Sequence, residues 1–508
     1  MSNSSTPPKK VLILGGGTAG WMSAVSLAHA WQQHDVEITL MESASIGIIG
    51  VGEGSTPKMR RYFDALGISE SEWMPKCNAT YKCGIRFPKW STRKGYRSYY
   101  HPFFSYSDEQ SIRAFYHNAT LRNQNINVPA HPDDFFISQF LAKTHRAPIA
   151  DKASGYESDY AYHFDANLIG QFLKEKSMAL GVKHLIDTVN AVAQNEAGEI
   201  THVQTESHGE IHADFFIDCT GFASVLIGKT LNVDFLPYTD LLFNDAAVAL
   251  PTELPEDTTL PSETQSTALS NGWVWKIPLT NRFGNGYVYS SSHLDKDKAE
   301  QELREHIGLH DETVEARHLR MRVGRVDTPW CKNVLAVGLS QGFIEPLEAT
   351  ALMIVQETIE NFIQRFAEGH FTDKYQGEFN QKINAIFDGI KDYVYLHYKL
   401  NSRDDSDYWI ENRENENTSD SLRQILDVWD RGGDLLSELK RLGNQLTYSP
   451  TSWYCILAGM GRFPRQPKKP KRNMEFNDPV QVSAYCKRML RHFPDHRSAV
   501  DEMGNAGT

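Results

Sequence analysis

Cysteine and positive charge are both scarce in this sequence. The 508 residues include six cysteines, scattered without a Cys-x-x-Cys pair or any spacing typical of metal ligands. We therefore predict free thiols, a reducing compartment and no metal site. Lysine and arginine total 52 against 64 acidic residues, for a formal net charge of -12. This excess of negative charge argues against nucleic acid or an anionic membrane as the main partner.

A long uninterrupted apolar segment is also missing. The first ten residues, MSNSSTPPKK, are polar, and glycines soon interrupt the apolar run that follows them. This pattern predicts neither a signal peptide nor a membrane span, so we expect a cytoplasmic protein with no membrane partner. Apolar residues make up 40% of the chain, which is ordinary for a globular protein with a large core.

The strongest local pattern lies near the start of the chain. The run KVLIL predicts a buried strand, Gly17 to Trp31 has helical periodicity, and VEITLMES predicts a strand that ends at Glu42. Gly15, Gly17 and Gly20 stand where the first strand meets the helix, and Glu42 follows Gly20 by 22 residues. Such glycines allow a tight turn and the approach of a pyrophosphate, and the acid can accept ribose hydroxyls. The unit predicts a dinucleotide site.

Two later stretches favour FAD over NAD. FFIDCTGFAS (215–224) and NVLAVGLSQGFIEPLE (333–348) are apolar strands that lead into glycine-containing turns. A large cofactor that crosses the whole sheet needs such distant contacts. The sequence has no second Gly-x-Gly-x-x-Gly for NAD(P)H. We therefore expect the flavin to be reduced by the substrate or by a separate reductase.

These elements predict an α/β fold of the Rossmann-like FAD-binding type with dispersed sheet elements. We assign residues 8–365 to the FAD-binding module, with inserted substrate-region segments at about 80–150 and 235–320. A long helical pattern from about Ala349 to Phe366 closes this module. Residues 366–508 are mostly helical in pattern and are predicted to form a C-terminal region on the substrate side.

Five stretches together resemble the flavin-dependent tryptophan halogenase family. They are GGGTAGWM (15–22), similar to its flavin motif; GVGEGSTP (50–57), similar to a loop close to the flavin; NATYKCGIRF, with Lys82 in the place of the catalytic lysine; GWVWKIP (272–278), the WxWxIP signature; and FIEPLEATAL (343–352), similar to the PLEST-G segment. The resemblance covers nearly the whole chain, because these motifs and a C-terminal stretch considered below run from residue 15 to about 460.

The resemblance implies a halogenation reaction. In the family, reduced FAD (FADH2) reacts with O2 to give a C4a-hydroperoxide, and halide, either chloride or bromide, converts this to hypohalous acid. The acid crosses a tunnel to a separate substrate site, where a lysine and a glutamate direct it onto an electron-rich aromatic carbon. For this chain the resemblance implies Lys82 and Glu348 as the catalytic pair, a small aromatic substrate and a separate NAD(P)H flavin reductase as partner.

The resemblance also assigns binding residues. It implies cofactor contacts at Gly15, Gly17, Thr18, Ala19, Gly20, Trp21, Glu42, Gly52, Glu53, Thr56, Val189, Leu339 and Leu352. It implies halide binding by the backbone N–H groups of Thr350 and Ala351, and substrate contacts at His101, Phe103, Trp453 and Tyr454. The chain departs from the family pattern at Ala349, which replaces serine, and at Ala351, which replaces glycine. The extra methyl group at 351 leaves the choice of halide open.

The catalytic assignments have ordinary structural alternatives. Lys82 lies in the strand-like run ATYKCGIRF, where apolar neighbours would remove its hydration and lower its pKa, but an isolated strand lysine usually reaches solvent. Glu348 can act as a proton acceptor or merely favour a helix N-terminus. We prefer Glu348 over the nearby Glu345 because it matches the PLE motif. Trp273 and Trp275 share one strand face, either as a wall between substrate and flavin or as core packing.

The C-terminal stretch YSPTSWYCILAGMGRFP (448–464) resembles the segment that holds the amino-acid end of tryptophan in the family, but it contains no Asp or Glu. A buried ammonium without a carboxylate partner is costly. We therefore predict indole, or an indole-like aromatic without a free amino-acid end, as the substrate. Two other functions stay open from the sequence: a flavin-dependent aromatic monooxygenase, and a flavin-binding protein without catalysis.

Overall fold

The structure, a computed structural model, describes residues 7–44, 53–255, 259–311, 313–464, 468–470 and 475–506. The strands are β1 Lys10–Leu14, β2 Glu37–Glu42, β3 Glu53–Gly54, β4 Thr80–Lys82, β5 Gly84–Pro88, β6 Ser98–Pro102, β7 Ala161–Phe164, β8 Lys183–Ile186, β9 Val189–Gln194, β10 Ile200–Thr205, β11 Glu210–His212, β12 Phe215–Asp218, β13 Phe235–Pro237, β14 Ala246–Glu253, β15 Thr264–Leu269, β16 Gly272–Pro278, β17 Arg282–Tyr289, β18 Arg317–Arg320, β19 Gly324–Val326, β20 Trp330–Cys331, β21 Val334–Ala336 and β22 Gly342–Phe343. The α-helices are α1 Thr18–Ala30, α2 Lys58–Ala65, α3 Glu70–Trp73, α4 Glu109–Asn123, α5 Ile137–Lys143, α6 Ala166–Ala179, α7 Lys296–Ile307, α8 Ala351–Glu368, α9 Gln376–Leu400, α10 Asp407–Glu414, α11 Asp420–Asp430, α12 Leu435–Leu442, α13 Pro450–Gly459, α14 Pro479–Met489 and α15 His496–Ala506.

A six-stranded sheet with the order β20-β21-β12-β1-β2-β8 forms the nucleotide-binding half of the fold. Strand β1 lies between β2 and β12 and is parallel to both. Its residues after Lys10 are all buried, as expected for a parallel strand covered on both faces. This arrangement confirms the predicted α/β fold, with sheet strands drawn from residues 10 to 336.

A seven-stranded sheet with the order β18-β14-β17-β16-β15-β5-β6 lies beside it in the fold, and it is antiparallel except where β15 runs parallel to β5. In β16, Trp273, Trp275 and Ile277 face the main core, whereas Val274 packs into a smaller cluster on the opposite side. The predicted alternation of this strand is therefore confirmed.

The run that contains Lys82 does not form one strand. Strand β4 ends at Lys82 and pairs with β7 in a small three-stranded sheet, whereas β5 starts at Gly84 and pairs with β6 and β15 in the seven-stranded sheet. Between them the N–H of Cys83 donates to the carbonyl of Ser262 at 2.7 Å. The expectation of one continuous strand was wrong, because the chain changes sheets at Cys83. Lys82 therefore occupies the last position of its strand.

From Gln376 onward the regular structure of the described residues is helical. Helices α9 and α13 contribute to the same hydrophobic core as α1 and β16, through buried residues such as Tyr393, Leu396 and Trp453. No helix within the described part of the chain is both long and apolar enough to cross a membrane. The division of the chain near residue 365 remains a prediction.

Candidate active site

The glycine turn after β1 leaves room for a phosphate group at the start of α1. Gly15 has φ +111°, and a Cβ there would lie 2.1 Å from the Cys219 carbonyl oxygen, so only glycine fits. Gly17 is the N-cap of α1, makes no side-chain capping bond, and has open space where a Cβ would stand. Free N–H groups and the positive end of the helix dipole favour an anion at this point. The turn therefore fits a dinucleotide pyrophosphate.

Glu42 ends β2 beside this turn. A Cβ on Gly16 would meet its carboxylate, so the acid lies directly over the glycines. Glu42 Oε1 is 2.7 Å from His184 Nε2 and 3.6 Å from Lys174 Nζ. These partners hold the carboxylate at the edge of the turn, where a ribose can be recognised.

The turn that contains Leu339 packs on the start of α1. Gly338 has φ +72°, and a Cβ there would lie 2.7 Å from the Cβ of Ala19. Leu339 is half-buried at this contact. The turn after β21 therefore lies close to the glycine turn after β1, as the sequence predicted for a cofactor that crosses the sheet. The other predicted cofactor residues are spread over α1, β3 and the loop after it, β9 and α8: Thr18, Gly20, Trp21, Glu53, Thr56, Val189 and Leu352. Gly52 lies outside the described residues.

Glu53 is a half-buried carboxyl group on β3. Loss of hydration raises its pKa to about 7, and the nearby charge of Asp165 acts in the same direction. A carboxyl that is neutral over part of the physiological range can donate as well as accept a hydrogen bond.

Lys82 is completely buried. Its Nζ donates to the Ser55 carbonyl oxygen at 3.1 Å and lies 5.6 Å from the centroid of the Phe103 ring. Burial lowers its pKa from the ordinary lysine value of 10.5 to about 7, although Glu348 opposes this shift. The side chain is therefore poised between its ammonium and amine forms near neutral pH. The alternative of a lysine that reaches solvent does not describe this residue.

Glu348 lies between two histidines. Its Oε2 is 3.1 Å from His101 Nδ1, and its Oε1 is 3.1 Å from His397 Nε2. Burial alone would raise the pKa of Glu348, but the two histidines lower it to about 2. His397 Nδ1 also lies 3.2 Å from the Tyr393 carbonyl, and Nε2 lies 2.8 Å from the Tyr99 hydroxyl. The carboxylate is therefore held ionised inside the protein.

A strained turn before α8 sets the direction of the Glu348 side chain. Ala349 has φ +56°, in the left-handed region that residues with a Cβ rarely adopt. Thr350 follows as the N-cap of α8, buried, with a side-chain hydroxyl that has no hydrogen-bond partner among the described residues. Ala351 is the first residue of an 18-residue helix, so its N–H lies at the positive end of the helix dipole. This end of α8 suits a halide ion on electrostatic grounds.

Glu345 has a different setting from Glu348. Its Oε2 accepts hydrogen bonds at 2.8 Å from Trp273 Nε1, Asn244 Nδ2 and the Tyr398 hydroxyl. Burial raises its pKa. The first tryptophan of the WxWxIP motif is thus anchored to Glu345 in the core, whereas the indole N–H of Trp275 has no hydrogen-bond partner in the part of the chain that the structure describes.

Two of the predicted substrate residues, Trp453 and Tyr454, lie on α13 and contact different parts of the core. Trp453 is fully buried, and its ring meets the Tyr393 ring edge-on at 5.2 Å. Tyr393 in turn lies 5.9 Å from His101, so Trp453 belongs to the aromatic group around Glu348. Tyr454 points elsewhere, with its ring 4.5 Å from Tyr116 in another part of the core. The structure therefore brings His101, Phe103 and Trp453 towards the catalytic pair but does not bring Tyr454 there.

Comparison with known proteins identifies the family and supports the fold. The family model described as tryptophan halogenase matches residues 10–475. The chain belongs to the tryptophan halogenase family. It is 37% identical over 491 residues to tryptophan 6-halogenase SttH of Streptomyces toxytricini, with 91% of each chain covered.

Solved structures agree with this assignment. The crystal structure of SttH has a TM-score of 0.84 and 34% identity, covering 98% of this chain and 100% of that one. BrvH, a flavin-dependent halogenase from Brevundimonas sp. BAL3, has a TM-score of 0.83 and 30% identity, covering 98% of this chain and 99% of that one. This chain is accordingly a flavin-dependent halogenase of an aromatic carbon, which favours the first of the three functions considered from the sequence.

The structure places three further side chains near Glu348, of which only Tyr448 lies in a stretch that the sequence had already drawn attention to. His397 and Tyr393 lie in the middle of α9, and Tyr448 lies just before α13. The Tyr448 ring stacks on Tyr393 at 3.7 Å, and its hydroxyl has no hydrogen-bond partner within the described ranges. Only the helical spacing of Tyr393 and His397, four residues apart on one helix face, could have hinted at a shared role.

Proposed function

We propose that this halogenase modifies an electron-rich carbon of an indole without a free amino-acid end, with Lys82 as the group that delivers the halogen. The observation that carries the proposal is the burial of Lys82 beside Phe103, near a carboxylate that is held ionised. Burial of a lysine away from solvent lowers the free energy of unfolding, and such a loss of stability is typical of functional sites.

The proposed cofactor is FAD in its reduced form. The glycine turn and the first N–H groups of α1 would hold its pyrophosphate, and Glu42 would accept its ribose hydroxyls. When bound, reduced FAD and O2 together supply the oxidising equivalent that converts chloride or bromide to hypohalous acid. A separate NAD(P)H flavin reductase is the proposed source of reduced FAD, because the sequence has no second dinucleotide motif.

The proposed role of Lys82 is to capture the electrophilic halogen. With a pKa near 7, Nζ can donate a hydrogen bond to hypohalous acid as an ammonium, or as an amine it can take the halogen from the acid, with the O–halogen bond breaking and water leaving. The adjacent Phe103 ring and the Ser55 carbonyl fix the position of Nζ. The halogen is thus released at one point of the substrate site rather than into solvent.

The proposed role of Glu348 is to accept the proton that the aromatic ring loses after halogen attack. An ionised carboxylate close to the substrate also stabilises the positive ring that precedes this loss. His101 and His397 orient the carboxylate from both sides. The N–H groups at the start of α8 are proposed to bind halide.

The proposed substrate class rests on the aromatic residues near the catalytic pair. Tyr448 stacks on Tyr393, and Trp453 meets Tyr393 edge-on, so the three rings form an aromatic group that suits a flat apolar ring. SttH is named for tryptophan, but the segment 448–464 of this chain offers no carboxylate for an ammonium group. An indole without charged ends meets the chemistry of this segment better.

Mass spectrometry of an aerobic reaction tests the proposal. The reaction contains the protein, FAD, an NADH-driven flavin reductase, indole and a mixture of chloride and bromide. We expect products with halogen isotope patterns that are lost in Lys82→Ala while FAD binding and oxidation persist. Lys10→Ala, which changes an exposed lysine on β1, is the matched control and should keep full activity.

Two outcomes would overturn parts of the proposal. Near-normal halogenation by Lys82→Ala would remove Lys82 from the mechanism. A clear preference for free tryptophan over indole in a competition experiment would refute the substrate class while the halogenase assignment stands. Product that is heavier by one oxygen in halide-free buffer would indicate a monooxygenase instead.

A further inference from the structure

The small sheet of β9, β10 and β11 carries a group of metal-ligating side chains apart from Lys82 and Glu348. His202 on β10 and His212 on β11 are directly opposite each other in antiparallel register. Glu210 stands two residues before His212, so the three side chains share one face of the hairpin. Val203 and Ile211, which alternate with them, pack into the core on the other face.

The three side chains already converge. Glu210 Oε2 lies 3.1 Å from His212 Nε2, and Oε1 lies 3.8 Å from His202 Nε2. The two imidazole centroids are 4.6 Å apart. One ligand atom from each residue lies within 4.8 Å of the others. Ligand atoms of a tetrahedral zinc ion are about 3.3 Å apart, so small rotations of exposed side chains would complete the site.

The surroundings favour a cation. His202 Nδ1 lies 3.1 Å from the Thr201 hydroxyl, which can fix the ring so that Nε2 points to the shared centre. Across β9 the facing residue is Ala193, whose side chain is small. Two imidazoles and one carboxylate give a net negative site when the imidazoles are neutral. Nitrogen ligands suit zinc and its neighbours in the transition series rather than magnesium or calcium.

We propose that His202, Glu210 and His212 form a binding site for a transition-metal dication, with zinc as the expected ion. The site has three protein ligands and leaves a fourth position open to solvent. Because the ligands come from both strands, the bound ion ties β10 to β11. The sequence analysis predicted no metal because it considered cysteine spacing, whereas these ligands meet only through the register of two strands.

The experiment is a zinc titration of the full-length protein without a histidine tag. The protein is first stripped with a chelator, and zinc is then partitioned between the protein and a chromophoric chelator of known affinity. We expect one equivalent to bind, with at least tenfold weaker binding in His202→Ala, Glu210→Gln and His212→Ala. His310→Ala, which removes an exposed histidine outside this sheet, should bind as the unchanged protein does.

A second measurement, the melting temperature, distinguishes the loss of zinc binding from the misfolding of a variant. Zinc should raise the melting temperature of the unchanged protein and of His310→Ala but not that of His212→Ala, whose melting temperature without metal should be unchanged. Cobalt in place of zinc should give the visible absorption of a site with nitrogen and oxygen ligands. The proposal fails if no stoichiometric zinc binds, or if the bound equivalent survives all three ligand substitutions.

Discussion

Lys82 illustrates at the scale of one residue how function and stability oppose each other. The folded protein lowers its pKa to about 7, whereas the unfolded chain keeps the ordinary value of 10.5. Between these two values the unfolded state binds more protons, so the free energy of unfolding rises with pH in this window. At and below pH 7 the full cost of burying the charge is present.

Lys82→Met is therefore expected to stabilise the protein while it abolishes halogenation. Removal of the buried charge should raise the free energy of unfolding by about 1 to 4 kcal/mol at pH 7. This gain should shrink as the pH rises from 7 towards 10, because the folded lysine is then neutral and deprotonation of the unfolded one costs progressively less free energy. Urea unfolding at a series of pH values from 7 to 10 measures this difference in the free energy of unfolding, with Lys10→Met as control. A destabilised Lys82→Met would contradict the claim that this residue is a stability cost.

The two buried glutamates before α8 should respond differently to the same substitution. Glu348→Gln removes the negative charge between His101 and His397, so kcat for halogenation should fall by a factor of about 100 or more. The kcat of Glu345→Gln should stay within about threefold of that of the unchanged protein, because an amide oxygen can still accept the hydrogen bonds that Glu345 now accepts. Initial rates with reduced FAD supplied in excess measure both. Equal losses would mean that the segment acts only through its folding.

At the scale of secondary structure, the start of α8 combines a strained turn with an unused hydroxyl. Thr350→Val removes a buried hydroxyl that, among the residues the structure describes, has no hydrogen-bond partner and makes no capping bond. We expect a gain of about 1 kcal/mol in the free energy of unfolding. The KM for halide should change less than twofold, because the proposed donors are backbone N–H groups. A tenfold rise in that KM would assign halide binding to the hydroxyl instead.

The elements that the sequence predicted are those with local signals. Strands β1 and β2 and helix α1 follow from apolar runs, helical periodicity and glycine spacing within 33 residues. The change of sheet at Cys83 has no such signal, because it depends on partners as distant as β7 and β15. His397 likewise meets Glu348 only through the packing of α9. Resemblance to a family indicated Lys82 and Glu348, but long-range packing determines their environment.

At the scale of the whole molecule, one hydrophobic core joins the N-terminal sheet to the C-terminal helices. The same cluster of buried residues contains Val11 and Ile13 of β1, Trp273 of β16, and Tyr393 and Trp453 of the helical region. Lys82 and Glu348 lie among these elements, so the proposed site requires both parts of the chain. A boundary near residue 365 would therefore divide the sequence without dividing the folding unit.

We accordingly expect a single cooperative thermal transition, because separate transitions require separate cores. Differential scanning calorimetry of the full chain should show one peak, which FAD shifts to higher temperature through preferential binding to the folded state. A fragment of residues 8–365 should fail to give a cooperative transition. Removal of residues 366–508 would expose core residues of the remaining part, among them Trp273 and those of β1. Two resolved peaks, with only the upper one shifted by FAD, would instead establish residues 366–508 as an independent domain.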